Sequence, residues 1–158
     1  AIRGLPRALP VAPVRGQMAA TAWPAAAARA IIHAGGAYVV ARGKEALLGS
    51  TMEQTGFDAG VTVEGIAAVR SAAIRLLPAL ADLPVLRTWA GLRPVTPDGR
   101  PILGADPGLR GLWYATGHGR NGVLLAALTG EIIAGSIAGV PIDIELGPFG
   151  VSRFEAAP

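Results

Sequence analysis

Apolar and polar residues change rhythm several times along this chain, and each change predicts an element. Residues 11–20 are mostly apolar around Arg15-Gly16, with Pro13 near the start, and read as an extended segment. Trp23-Pro24 followed by the alanine-rich residues 25–30 predicts a short helix, because proline suits a first helical turn. Residues 31–34 and 37–40 flank Gly35-Gly36, the composition of a two-residue hairpin turn, and residues 46–51 give a further strand. Thr62 is placed to cap a helix in which Ile66, Val69, Ala73, Leu76 and Leu80 share one stripe, with Pro84 ending the element. A strand at 85–92 is stopped by Pro94, and the turn Thr96-Pro97-Asp98-Gly99 leads to a short strand at 101–103. A buried strand at 112–116, a glycine-rich loop at 117–122, a helix at 123–138 and a last strand at 142–146 complete the pattern. Hairpins first and a strand–loop–helix unit last predict an α+β fold, with no clean domain boundary in the composition.

Composition narrows the chemistry. The chain has 158 residues, enough for one domain or a piece of a larger protein. It is 51% apolar and 16% charged, too apolar for a disordered tail and sufficient for a sizeable core. There is no cysteine, which excludes disulfides, zinc–thiolate sites, iron–sulfur clusters and thiol catalysis from this chain, and two histidines argue against a histidine-rich metal site. The net charge is +3, almost all the positive charge is arginine, and the arginines are scattered singly. No basic run exists and aromatics are 5%, so nucleic acid is not an expected partner. Residues 1–7 are too broken by proline and arginine for a signal peptide. Residues 122–140 are apolar except for Thr129, Glu131 and Ser136, which we read as a buried helix of a globular fold and not a membrane span.

Two constellations carry possible chemistry. Gly117-His118-Gly119-Arg120-Asn121-Gly122 satisfies G-x-G-x-x-G between a strand and a helix, and Asp143 and Glu145 follow near the position of a ribose-binding carboxylate. A dinucleotide-binding half needs a longer alternation of strands and helices than the residues after Glu145 provide. The loop chemistry survives that objection, since N–H groups at a helix start hold an anion or a partly negative oxygen. A plain strand-to-helix turn is the alternative, and His118 between glycines reads as a hydrogen-bonding residue and not as a base. In Trp89-Ala90-Gly91-Leu92-Arg93-Pro94, Arg93 ends an apolar strand and offers a fork to a carboxylate, with an ion pair to Asp98 as the competing reading. Tyr38 and Met52 pass equally as core residues.

Together these stretches resemble the C-terminal half of the glycine oxidase family, within the D-amino-acid oxidase superfamily of flavoproteins. The matching segments are Pro13-Val-Arg-Gly-Gln-Met18, Tyr38-Val-Val-Ala-Arg42, Leu48-Gly-Ser-Thr-Met-Glu53, Gly56-Phe-Asp58, Leu77-Pro-Ala-Leu80, Trp89 to Pro94, Thr96 to Gly99 and Ala115 to Gly122. The likeness runs from about Pro13 to Phe154. Sarcosine oxidases and D-amino-acid dehydrogenases remain as related readings, and a silent fold used for association or ligand binding as a reading of another class.

The resemblance implies a mostly antiparallel substrate-domain sheet with flanking helices, over residues 1–92. It implies that residues 93–158 supply a C-terminal strand–glycine loop–helix of an FAD-binding domain. It implies oxidation of glycine or small amino acids by hydride transfer to FAD, with imine and hydrogen peroxide as products and a place in thiamine biosynthesis. Arg93 is then the partner of the substrate carboxylate, assisted by Arg120 and Tyr38, with Met52 lining the pocket. Gly117, His118, Gly119, Arg120, Asn121, Gly122, Val123 and Leu124 lie against the flavin, and the helix start points at its pyrimidine carbonyl. No catalytic general base and no metal are needed. The family's proline before the Arg of its Tyr-Leu-Val-Pro-Arg segment is Ala41 here, and the N-terminal dinucleotide fingerprint is absent. The expected partners are therefore a small amino-acid substrate and a missing N-terminal FAD-binding half. Self-association into a homo-oligomer is a further expectation, with a cytoplasmic location and no membrane. Alone, the chain is not expected to hold FAD tightly or turn over.

Overall fold

The predicted stripe of Ile66, Val69, Ala73 and Leu76 becomes α1 (Val63–Leu76), and it packs on a sheet through Val69 and Ala73, both buried. The computed structural model describes residue 4 and residues 7–155. The chain divides into two compact units, one of Val14–Leu92 and the other of Ala1–Pro13 with Arg93–Pro158. Composition offered no such boundary. The cuts fall inside strands, where apolar content does not change.

The sheet against α1 has the order β2-β3-β4-β1-β5, from β1 (Ala12–Ala22), β2 (Ile31–Ala34), β3 (Ala37–Arg42), β4 (Glu45–Gly49) and β5 (Arg87–Val95). Neighbours β2/β3, β3/β4 and β1/β4 are antiparallel. The β2–β3 hairpin turns on Gly35 and Gly36, both at positive φ as a tight primed turn requires. Register puts Ala19 and Val39 opposite Leu48, and these three residues meet α1 in the core. Thr62 caps α1 as predicted, its hydroxyl accepting from the Gly65 N–H.

Several expectations fail for local reasons. Residues 25–30 form a turn and no helix. The Trp23 indole N–H donates to the Ala27 carbonyl at 3.0 Å, and the few residues before β2 are too short a run to offset helix nucleation. Helix α1 stops at Leu76, ahead of Pro78, so Leu80 reaches the core from a separate 3-10 turn. Strand β5 continues through Pro94. It is an edge strand, where a missing N–H costs no ladder bond.

The second unit holds a two-stranded antiparallel sheet of β6 (Ile102–Ala105) and β7 (Trp113–Thr116), followed by α2 (Gly122–Ala138). Within β7 only Tyr114 is buried, so the strand is less enclosed than its sequence predicts. Ile102, Tyr114 and Val151 form the core of this unit. Among the described residues α2 buries only Ile132, and Val123 and Leu124 are 94% and 81% exposed. The buried-helix reading is therefore wrong for this chain, because β6 and β7 reach only part of one side of α2. By length and composition alone the helical run Gly119–Ala138, the 3-10 turn with α2, is also apolar enough to cross a membrane. Residues 142–146 form no strand. Gly139 ends α2 in a left-handed turn, and the chain folds back so that Ile142 lies beside Gly135.

Candidate active site

The residues of interest fall into two groups, one in each unit. In the sheet unit, Tyr38, Gly49 and Met18 are lateral neighbours on β3, β4 and β1. The Tyr38 hydroxyl donates to the Met18 sulfur at 3.5 Å. Gly49 makes this arrangement possible, since a Cβ there would overlap the Tyr38 ring. Side chains alternate across a sheet, so Tyr38 and Met18 share the face opposite the one that carries Val39, Ala19 and α1. Met52, three residues beyond β4, is 54% exposed.

In the second unit, Arg93 is half-buried near the end of β5. Val95, two residues on and on the same strand face, forms an antiparallel bridge with His118. The bridge sets the strand of Arg93 beside the glycine-rich loop. Asp98, the carboxylate set against Arg93 by the sequence reading, binds Arg153 through both oxygens at 2.8 and 3.2 Å. That pairing holds the Asp98 carboxyl well below the usual carboxylate range.

Loop geometry explains the glycines. Gly117 has φ +79°, and a Cβ there would stand 2.6 Å from the Thr96 methyl, so this position excludes any side chain. Gly119 starts a 3-10 turn (Gly119–Asn121) that runs directly into α2. Burial lowers the His118 pKa, so the ring is neutral at pH 7, and its Nε2 lies 3.0 Å from the Thr129 hydroxyl. His118 is thus a tethered loop residue, as its glycine neighbours predicted. Arg120 is exposed on the turn. No side chain caps the N-terminus of α2, and the 3-10 turn leads straight into it.

These features fit an isoalloxazine ring. The polar turn Gly119–Asn121 and the exposed apolar Val123 and Leu124 offer polar contacts to a ring edge and apolar contacts to its face.

Sequence reasoning missed two polar clusters. In the sheet unit, Arg15 and Gln17, 5% and 0% exposed, meet Glu53. In the second unit, Asp106 accepts from the Tyr114 hydroxyl at 2.6 Å, Arg7 Nε at 2.8 Å and the Gly108 and Leu109 amides. Its carboxyl is lowered to about 2, first by Tyr114 and then by Arg7 and the amides. Polar residues at alternate positions of an apolar strand, 15 and 17, were the available signal for the first cluster. The second joins residues 99 apart in sequence, which no local pattern encodes.

The glycine loop between β7 and α2 lies beside β5, the strand that carries Arg93. Residues 1–136 match the family model for FAD dependent oxidoreductases, and the chain belongs to that family, whose members use FAD. It is 41% identical over 142 residues to a glycine oxidase of Pseudomonas aeruginosa, covering 89% of this chain and 39% of that protein. It is 35% identical to the hydrogen cyanide synthase subunit HcnC of the same species, covering 96% of this chain and 37% of the relative. The crystal structure of glycine oxidase from Geobacillus kaustophilus matches with a TM-score of 0.87 at 34% identity, over 92% of this chain and 40% of that one. The chain thus spans about two fifths of the length of the relatives it matches.

Proposed function

We propose that this chain forms the substrate-binding sheet and the flavin-facing loop of an FAD-dependent amine oxidase acting on glycine or small N-alkyl glycines. The observation that carries this reading is the Val95–His118 bridge, which sets the strand of Arg93 beside the glycine loop. Bound FAD would supply the hydride acceptor for the carbon next to the amine and the route for two electrons to oxygen, so that the products would be imine and hydrogen peroxide. Everything else falls to the protein. Arg93 binds the substrate carboxylate, with Arg120 and Tyr38 assisting. Met52 bounds the space for the side chain. Residues 117–124 hold the ring, and the positive end of the α2 dipole stabilises negative charge on its edge. A substrate that binds with a neutral amine needs no general base.

The reading includes a dinucleotide-binding segment outside the described residues, a cytoplasmic setting, and self-association through apolar surface such as that of α2. An FAD titration by flavin fluorescence tests it, on this chain and on a version extended upstream to the length of its relatives. Tight binding by the extended version alone is expected, and binding by neither overturns the reading. In the extended protein, Arg93→Ala should weaken carboxylate binding by about 2–5 kcal/mol, read as KM, with the flavin spectrum retained. An unchanged KM for glycine removes Arg93 from the role.

A further inference from the structure

The polar cluster beneath the sheet has a geometry that the fold alone does not require. Residues 51–53 leave β4 and run beside β1, held from both sides of Met52. On one side, the Thr51 N–H donates to the Gln17 carbonyl at 3.3 Å, and the Gln17 N–H to the Thr51 hydroxyl at 2.8 Å. On the other, Arg15 and Glu53 exchange backbone bonds of 2.8 and 3.0 Å. The two side chains below complete the clamp. Arg15 donates to Glu53 at 2.5 and 3.1 Å, and also to Asp58 at 2.6 Å and the Gly60 carbonyl at 3.1 Å. The Gln17 amide nitrogen donates to Glu53 at 2.9 Å and to the Thr62 hydroxyl at 3.1 Å. Its oxygen accepts from the Thr62 N–H at 2.7 Å. A Cβ at Gly65 would overlap the Gln17 amide, so the glycine is what lets the amide lie against the start of α1.

Bonds to Thr51, Arg15 and Gln17 lower the Glu53 carboxyl, which therefore remains an acceptor at neutral pH. Because Glu53 faces Arg15 and Gln17, strand alternation turns Met52 to the opposite face, the one that carries Tyr38 and Met18. A methionine side chain has three free torsions and makes a poor wall unless its backbone is fixed.

We infer that Arg15, Gln17 and Glu53 are positioning residues for substrate selection. They fix the backbone on both sides of Met52, and so set the size of the amine that the Tyr38 face accepts. The inference rests on the proposed role of Met52. Burying a guanidinium, a carboxylate and an amide in one network is costly unless every group is satisfied, so such a network holds one geometry and resists others.

The test uses the FAD-loaded protein at the length of its relatives. Gln17→Leu, which keeps volume and removes the amide, should raise KM for glycine about five- to tenfold and narrow the preference for glycine over N-alkyl glycines. kcat and flavin content should stay within about twofold of wild type. Glu53→Gln should show a smaller effect of the same kind, and it serves if Gln17→Leu does not fold. Arg15→Lys, which cannot reproduce the fork to Glu53 and Asp58, should raise KM in the same direction. In the Met52→Ala background the Gln17 and Glu53 effects should vanish, a non-additivity that a purely structural role does not produce. If Met52→Ala itself leaves KM and selectivity unchanged, the pocket reading fails and the inference with it. If Met52→Ala changes them while Gln17→Leu and Glu53→Gln, both folded, do not, only the positioning role is overturned. Additive effects overturn it as well.

Discussion

The two long helices of this chain are built on opposite plans. Helix α1 is amphipathic, capped by Thr62, and lays Val69 and Ala73 on a sheet from its own unit. Helix α2 is apolar on nearly every side, has no side-chain cap and buries only Ile132. A one-sided apolar stripe states that a helix has one neighbour. An all-round apolar helix states that it needs several, and among the described residues α2 has few. The pattern of α1 reports a contact inside the chain, and that of α2 reports a demand on its surroundings.

The largest expected effect tests the α1 side. Leu48 is fully buried between the sheet and α1, and Leu48→Ala should cost about 2–5 kcal/mol in chemical denaturation. A loss below about 1 kcal/mol would mean that α1 rests loosely on the sheet. Next comes Asp106, which anchors the α2 unit in place of a large apolar core. Its carboxyl is held at about 2, below the roughly 3.9 of an unfolded aspartate, so its contribution is complete above about pH 4 and fades as the pH falls toward 2. Acid should therefore loosen this unit over that window, read from amide hydrogen exchange in β6 and β7. Asp106→Asn should destabilise it at pH 7 and flatten the acid response. An unaltered acid profile in the variant would assign the anchoring elsewhere. The smallest effect is on the α2 surface. Leu124→Ser should change the stability of the chain by less than about 0.5 kcal/mol while reducing self-association in sedimentation. A large loss of stability would show that α2 is covered in solution.

Much of the fold was legible because its signals are local. Gly35-Gly36 fixed the hairpin through a turn that demands positive φ, and Thr62 with the Ile66–Val69–Ala73 stripe fixed α1. The misreadings came where tertiary context overruled local preference. Pro94 reads as a stop, yet an edge strand tolerates it, and the alanines at 25–30 favour a helix that has too little length to nucleate. At the site, the glycine loop and Arg93 were visible as motifs. Their meeting through Val95 and His118 was not, because no pattern within a strand names its partner. The same holds for Arg15, Gln17 and Glu53. Charged and amide residues in an apolar run mark an anomaly, and only the pairing of β1 with the segment after β4 shows what resolves it.

The bond between Arg7 and Asp106 spans 99 positions of sequence, and the Val14–Leu92 unit lies wholly between them. In topological terms that unit is an insertion, and its first and last strands, β1 and β5, are neighbours in one sheet. Closing a loop of that length from an unfolded chain carries an entropic cost that grows with the logarithm of its length. Once the inserted sheet has formed, its entry and exit are already side by side and most of that closure has been made. The connectivity thereby gives the inserted sheet, through the long-range neighbourhood of β1 and β5, the closure that the discontinuous unit needs.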